Sequence, residues 1–341
     1  MTSHDTPRST SPQSVHDGTR RLLLKAAGAA ALAAPLSGGL AALSASGAAH
    51  AQRSAKTLRI GYQKYGNFVV LKARGTLEKR LADQHVAIQW IEFPGGPQLL
   101  EGLNAGAVDV GTVGETPPVF ALAAGVDFVY VGSEPPAPQG EAIVVPHDSP
   151  VRAVADLRGK KIALNKGSNV HYLLVKALQR AKIDYRDITP VYLAPADARA
   201  AFAQRGVDAW VIWDPYLAAV ERQMNARAIA NGEGLVNNTQ YYLASRQFAE
   251  AEPQRMRVLL DEVGAVDHWA RENVAAVAAQ LSPLVGLDTV TLELALKRAS
   301  YGVQPIDHAT LAYQQQIADT FASLKLIPRK IDVAAARWQA A

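Results

Sequence analysis

Five places in the chain set a helix-start signature directly behind a strand-like run: Gly95-Gly96-Pro97, Thr116-Pro117-Pro118, Gly167-Ser168-Asn169, Pro195-Ala196-Asp197 and Asp214-Pro215. Proline suits the first helical position, where its missing N–H costs nothing, and Ser, Thr or Asp beforehand caps free amides. First-turn amides lack intrahelical partners and lie at the positive end of the helix dipole, so such starts bind anions without lysine or arginine. In an open α/β sheet the ligand crevice lies beyond the strands' carboxyl ends, which would put all five starts along one cleft. Helices in any α/β protein begin this way, so the residues alone leave anion capture and plain capping both open.

The side chains divide into donors and acids. Thr116 and Ser168 are the best anion ligands, each a hydroxyl at a helix start, and the same hydroxyls can cap. Gly95, Gly96, Gly167 and Asn169 contribute at the same starts. Lys64 reads either as a countercharge or as a solvated loop lysine. His171 falls in a helix's first turn, where the dipole disfavours its charged form, so it would act as a neutral donor. Trp213 lines the path of a ligand's tail or fills core. Asp197 also stands at a helix start. Asp214 is a carboxylate at a helix cap, which repels an anion; it reads as a structural cap or as a ligand for the amine of a zwitterion, and Glu115 carries the same ambiguity.

Short apolar runs alternating with helical patterns must position these groups, the rhythm of an α/β protein with largely parallel sheets. Strands are expected at Leu58–Tyr62, Ala87–Phe93, Val108–Val113, Asp127–Gly132, Ala142–Pro146, Lys161–Leu164, Thr189–Leu193 and Asp208–Trp213. Ala209-Trp210-Val211-Ile212-Trp213 has no polar alternation, so both of its faces should be buried. Val170, Leu173, Leu174, Ala177, Leu178 and Ala181 form one helical stripe. The loop-rich stretches Glu134–Gln139 and Asn231–Gln240 break the rhythm and suggest two crossings between two lobes. The expected division is 57–140 with 241–341 as a discontinuous first lobe and 141–240 as the second, joined by a hinge. The segment from Arg246 on is almost entirely helical in pattern.

Ahead of these elements, Arg20-Arg21-Leu22-Leu23-Leu24-Lys25 precedes an uncharged Ala/Gly/Leu run that ends at Ala49-His50-Ala51. Paired arginines, weak hydrophobicity and a small-x-small terminus read as a twin-arginine export signal over residues 1–51, cleaved near Ala51 and leaving the protein free in the periplasm. Half the 341 residues are apolar and 19% charged, which excludes a disordered chain. The net charge is +4, half of it within residues 1–51, and no basic run of the nucleic-acid type remains. With no cysteine there is no disulfide, thiolate metal site or cysteine nucleophile. No zinc-protease, P-loop or nucleophile-elbow motif appears, and the histidines make no ligand-spaced pair, so no enzyme, cofactor or metal is expected.

Several motifs in register resemble the aliphatic sulfonate-binding proteins of ABC transporters: Gly61-Tyr62-Gln63-Lys64, Glu92-Phe93-Pro94-Gly95-Gly96-Pro97-Gln98, Gly114-Glu115-Thr116-Pro117-Pro118, Val129–Pro136, Tyr192–Arg199 and Asp208–Tyr216. The resemblance runs from about Leu58 to Arg337-Trp338-Gln339. It implies a type II periplasmic-binding-protein fold with two mostly parallel sheets, acting as a monomer that closes on an alkanesulfonate for sulfur acquisition. A membrane permease and its ATPase would be the partners, and Gln63 and Lys64 join the helix-start residues as candidate ligands. Two departures threaten tail preference more than sulfonate capture, for which Ser168, the amides and His171 remain. Gly167-Ser168-Asn169-Val170-His171 stands where the family has a serine-rich stretch, and Tyr65-Gly66-Asn67-Phe68 adds aromatics after Lys64. Receptors for nitrate, bicarbonate or pyrimidines, and an enzyme of pyrimidine biosynthesis on a related fold, are the competing readings.

Overall fold

The computed structural model describes residues 56–339, so the export-signal reading of residues 1–51 lies outside the described residues. Two five-stranded sheets are present. The first runs β2 (Val86–Glu92), β1 (Lys56–Tyr62), β3 (Val110–Gly114), β10 (Gln240–Ser245), β4 (Phe128–Ser133). The second runs β7 (Thr189–Tyr192), β6 (Lys161–Leu164), β8 (Ala209–Trp213), β5 (Glu141–Val145), β9 (Arg227–Asn231). All eight expected strands are found, each end within two residues of its expected place. β3, β4, β5 and β8 are buried along their whole length, as continuous apolar runs under helices on both faces require.

The sheets are mixed, which corrects the expectation of mostly parallel ones. β1 pairs in parallel with β2 and β3, and β6 with β7 and β8, while β10 runs antiparallel to β3 and β4, and β5 antiparallel to β8 and β9. Parallel neighbours are delivered by helical crossovers, but β5 and β10 each enter directly from the other sheet. Glu141, the first residue of β5, pairs with Trp213 at the carboxyl end of β8, and Gln240, the first of β10, pairs with Gly114 at the carboxyl end of β3. Both crossings therefore lie at the sheets' carboxyl edges. They are bonded to each other, with Glu134 N donating to Gln240 O at 2.9 Å and Gly232 N to Pro138 O at 2.9 Å.

Twelve α-helices cover the sheets. They are α1 (Asn67–Arg74), α2 (Thr76–Leu81), α3 (Gly96–Asn104), α4 (Pro117–Ala124), α5 (Asn169–Arg180), α6 (Pro195–Ala203), α7 (Tyr216–Met224), α8 (Arg246–Ala251), α9 (Pro253–Glu272), α10 (Val274–Val285), α11 (Thr289–Arg298) and α12 (His308–Ser323) among the described residues. The α5 stripe Val170, Leu173, Leu174, Ala177 and Leu178 is buried, and each of its larger side chains contributes roughly 1.5–3 kcal/mol of transfer free energy. Helices α8–α10 pack with β1 in one core cluster, through Ala249, Leu259 and Val277 beside Leu58 and Ile60. The other cluster is continuous from the first sheet into the second, joining Val113, Val119 and Phe128 to Ile143, Ile162 and Trp210. The described residues accordingly hold together as one compact unit.

Candidate functional site

Helices α3 to α7 begin at the five places the sequence marks, each behind the carboxyl end of a strand. No side chain among the described residues caps α3, α4, α5 or α6, and the same holds for α1, α2, α9 and α10, while Ser245, Asp288 and Asp307 cap α8, α11 and α12. Four uncapped starts face the level of the two crossings, so their positive ends are available to an anion. They are not equal donors. Pro117 and Pro118 carry no N–H, and Val119 N already donates to Thr116 O at 3.0 Å, so α4 offers little from its backbone. The Thr116 hydroxyl compensates: it is fully buried and has no partner among the described residues.

Close packing brings the sheets together here. A Cβ on Gly96 would lie 2.6 Å from Pro117 Cγ, and one on Gly114 would lie 2.7 Å from Asn169 Oδ1, so glycine is required where α3 meets α4 and where β3 meets α5. Asn169 also donates to Glu141 Oε2 at 2.6 Å and Asn238 Oδ1 at 2.7 Å, tying α5 to both crossings. Farther out, Arg298 of α11 pairs with Glu221 at 2.8 Å and Asp214 at 3.6 Å, and Arg222 Nε donates to Thr291 Oγ1 at 3.0 Å. These contacts hold α7 of the second sheet against α11.

The remaining sequence candidates fall into distinct settings. Ser168 occupies the N-cap position of α5, but its hydroxyl donates back to Asn165 O at 2.7 Å rather than capping. Gln63 is buried and donates to Thr112 O at 3.0 Å. Lys64 is partly exposed, its ammonium 3.4 Å from Val285 O and 3.9 Å from Glu92. Asp197 is exposed in the first turn of α6. Trp213 is buried in the continuous core, edge-to-face with Tyr216. Gly167 N donates to His171 Nδ1 at 3.2 Å, and His171 Nε2 is 2.9 Å from Tyr185 Oη. With Phe120 and Phe321 stacked nearby, the ring is engaged within the protein, and burial followed by Lys166 pushes its pKa down to about 3.

Three acids lie close by, and burial changes their character. Glu115 accepts from Thr239 N at 3.0 Å and Tyr313 Oη at 3.3 Å, yet burial pushes its pKa up to about 8, so at neutral pH it is chiefly the uncharged acid. Burial, with Glu115 next, also raises Glu141 well above the ordinary carboxyl range. Neither need repel an anion at pH 7. Asp214 accepts from Ala218 N at 2.9 Å and so caps α7; burial lifts its pKa to about 7 against the opposing pull of Arg298.

Sequence reasoning missed two groups. Gln98 and Asn165 carry buried amide oxygens without partners among the described residues, and both converge on Gly95. It also missed a cavity of about 490 Å³ at the start of α6, bounded by Lys64, Val285 and Leu287 on one side and by Pro195, Arg199, Tyr216, Ala219 and Met224 on the other. Its wall is mostly apolar, and its only charged groups are two cations. Patterning hides it because small alanines on α6 and α7 read as ordinary helix filling.

Two sheets with a ligand-sized cavity, uncapped helix starts and paired crossings at their carboxyl edges define a periplasmic-binding-protein fold. The NMT1/THI5-like family profile matches residues 82–270. The alkanesulfonate-binding protein SsuA from Xanthomonas axonopodis pv. citri, bound to MOPS, is 43% identical, with 83% of this chain and 98% of that one covered at a TM-score of 0.80. The periplasmic aliphatic sulphonate binding protein SsuA from Escherichia coli is 42% identical over 84% of this chain and 93% of that one, at a TM-score of 0.76. The desulfurization enzyme DSZB, at 16% identity and a TM-score of 0.60 over 83% of this chain and 96% of that one, shares the fold alone. The chain belongs to the NMT1/THI5-like family and, within it, to the aliphatic sulfonate-binding proteins.

Proposed function

We propose that this protein is the solute receptor of an ABC importer, capturing aliphatic sulfonates in the periplasm as a monomer and delivering them to a membrane permease and its ATPase. The observation that carries the reading is the set of uncapped starts of α3–α6 around the unpartnered Thr116 hydroxyl. Such a site holds a permanent anion by oriented amides and a neutral hydroxyl, and a sulfonate remains anionic throughout the physiological range. The first-lobe segments 57–140 and 241–341 and the second lobe 141–240 would rotate about the paired crossings to admit ligand. The head would lie among Gly95, Gly96, Thr116, Gly167, Ser168 and Asn169, and the tail would run past Lys64 into the apolar cavity. Such a cavity lies in the size range of ligand pockets and exceeds what a two-carbon tail fills. MOPS, a propanesulfonate with a bulky ring, occupies the Xanthomonas relative.

Binding rather than catalysis is supported by the relatives above 40% identity, which are named as binding proteins. Calorimetric titration of the mature protein with ethanesulfonate, longer alkanesulfonates, taurine, sulfate and nitrate tests the reading. One-to-one binding of sulfonates in preference to sulfate and nitrate is expected; binding only of nitrate, or turnover of a sulfonate to product, would refute it. Export by the twin-arginine route is the companion proposal. Replacing Arg20 and Arg21 with lysines should then abolish the periplasmic protein.

A further inference from the structure

The carboxamides of Gln98, in α3 behind the first sheet, and Asn165, in the turn after β6 of the second, both lie beside one glycine. A Cβ placed on Gly95 would lie 3.1 Å from Gln98 Oε1 and 3.3 Å from Asn165 Oδ1. Both oxygens are buried and without a partner among the described residues, and Asn165 is only 8% exposed. Two buried acceptors without partners beside one glycine is an arrangement proteins avoid, because a buried polar atom without a partner forfeits its hydration. Oxygen and nitrogen of a carboxamide have the same shape, and a half-turn about the last side-chain bond exchanges them. The exchange turns two orphaned acceptors beside Gly95 into two donors beside it. Gly95 itself precedes the uncapped start of α3.

Local structure holds Asn165 in place. Its own carbonyl accepts from Ser168 N at 3.2 Å and from Ser168 Oγ at 2.7 Å, closing the turn between β6 and α5. Gln98 stands in the first turn of α3.

We propose that Gln98 and Asn165 form a carboxamide clamp on the anion's head, one jaw from each sheet, which selects a three-oxygen sulfonate over a two-oxygen carboxylate. The proposal rests on the sulfonate-receptor reading and extends it to two residues that fix head-group specificity. The amides at the starts of α3 and α5 and the Thr116 hydroxyl serve two oxygens of either ligand. The third sulfonate oxygen takes the two carboxamide donors, and a carboxylate has nothing to offer them. Because the jaws come from different sheets, the contact forms only when the sheets are together.

The test is calorimetric titration with ethanesulfonate and its carboxylate counterpart propionate, on wild type and on Gln98→Ala, Asn165→Ala and the isosteric Asn165→Asp. Wild type should prefer ethanesulfonate. Each alanine variant should lose about tenfold to a hundredfold for ethanesulfonate, the range for hydrogen bonds to a charged group, and far less for propionate. Asn165→Asp, which keeps the shape but presents a carboxylate, should lose more than Asn165→Ala. Unchanged ethanesulfonate binding in the variants would overturn the clamp, as would equal losses for both ligands, since that pattern marks a structural defect. Wild type that binds no sulfonate would instead overturn the receptor reading beneath it.

Discussion

Thr116 gives a test in which stability and binding should move in opposite directions. Its hydroxyl is fully buried, accepts and donates nothing among the described residues, and sits beside the start of α4, whose two prolines remove the usual amide donors. Thr116→Val removes the hydroxyl and keeps the branched shape. In the free protein the change relieves an unsatisfied polar group, a gain of about 1 kcal/mol against a full penalty of about 1–3 kcal/mol. In a chain of this size that amounts to a melting temperature about 2 °C higher. In the complex it deletes a hydrogen bond to an anion, worth about 1.5–3 kcal/mol, so affinity should fall about tenfold to a hundredfold. Thermal melting without ligand and calorimetry with ethanesulfonate read the two effects separately. A variant that melts lower and binds as well as wild type would show that the hydroxyl serves the fold and not the ligand.

The pH profile should be governed by Glu115 rather than His171. Because the His171 pKa is pushed down to about 3 and Glu115 up to about 8, neither group changes charge between about pH 5.5 and 7, and neither should make affinity depend on pH there. Above about pH 8, ionised Glu115 beside Thr116 opposes the sulfonate; equivalently, bound anion raises the Glu115 pKa, so affinity weakens as pH rises through the free-protein value. Glu115→Gln should abolish that decline, and a decline that persists in the variant would reject the assignment. Arg298→Ala should raise the Asp214 pKa beyond about 7 and lower stability most at alkaline pH, where Asp214 would be charged without its partner, and adding Asp214→Asn should recover part of the loss in a denaturant melt. Gly114→Val should wedge β3 away from Asn169, so small-angle scattering should report a larger radius of gyration and calorimetry weaker binding; an unchanged radius would contradict the close approach.

Periodicity made most of the fold legible, and turn chemistry made the site's frame legible. The continuous apolar run Ala209–Trp213 and the α5 stripe identify a buried strand and its covering helix without reference to any other residue. The strand Arg227–Asn231 escaped because none of its residues is fully buried and its ends are polar, so it lacks both the alternating and the continuous signature. The antiparallel sense of β5 and β10 escaped for a different reason: hydrophobic pattern encodes which faces are buried, not the direction in which a strand enters its sheet. At the site, the helix starts were visible, but whether a hydroxyl caps or stays free was not. Ser168 and Thr116 look alike in sequence, and only the fold shows one bonded to Asn165 O and the other unpartnered. His171 reads as a donor until Tyr185, fourteen residues away, is seen beside its second nitrogen. Gln98 stands at the end of a recognised motif and Asn165 in none, and neither reads as a ligand, because their approach to Gly95 requires both sheets.

The central claim is that a sulfonate head lies between the two sheets, at the uncapped helix starts. The most direct measurement is the position of the sulfur atom in a crystal structure of the mature protein with ethanesulfonate. The account predicts sulfur between the starts of α3 and α5, with a sulfonate oxygen within hydrogen-bond distance of Thr116 Oγ1. Sulfur found elsewhere, with Thr116 Oγ1 still unpartnered, would contradict it.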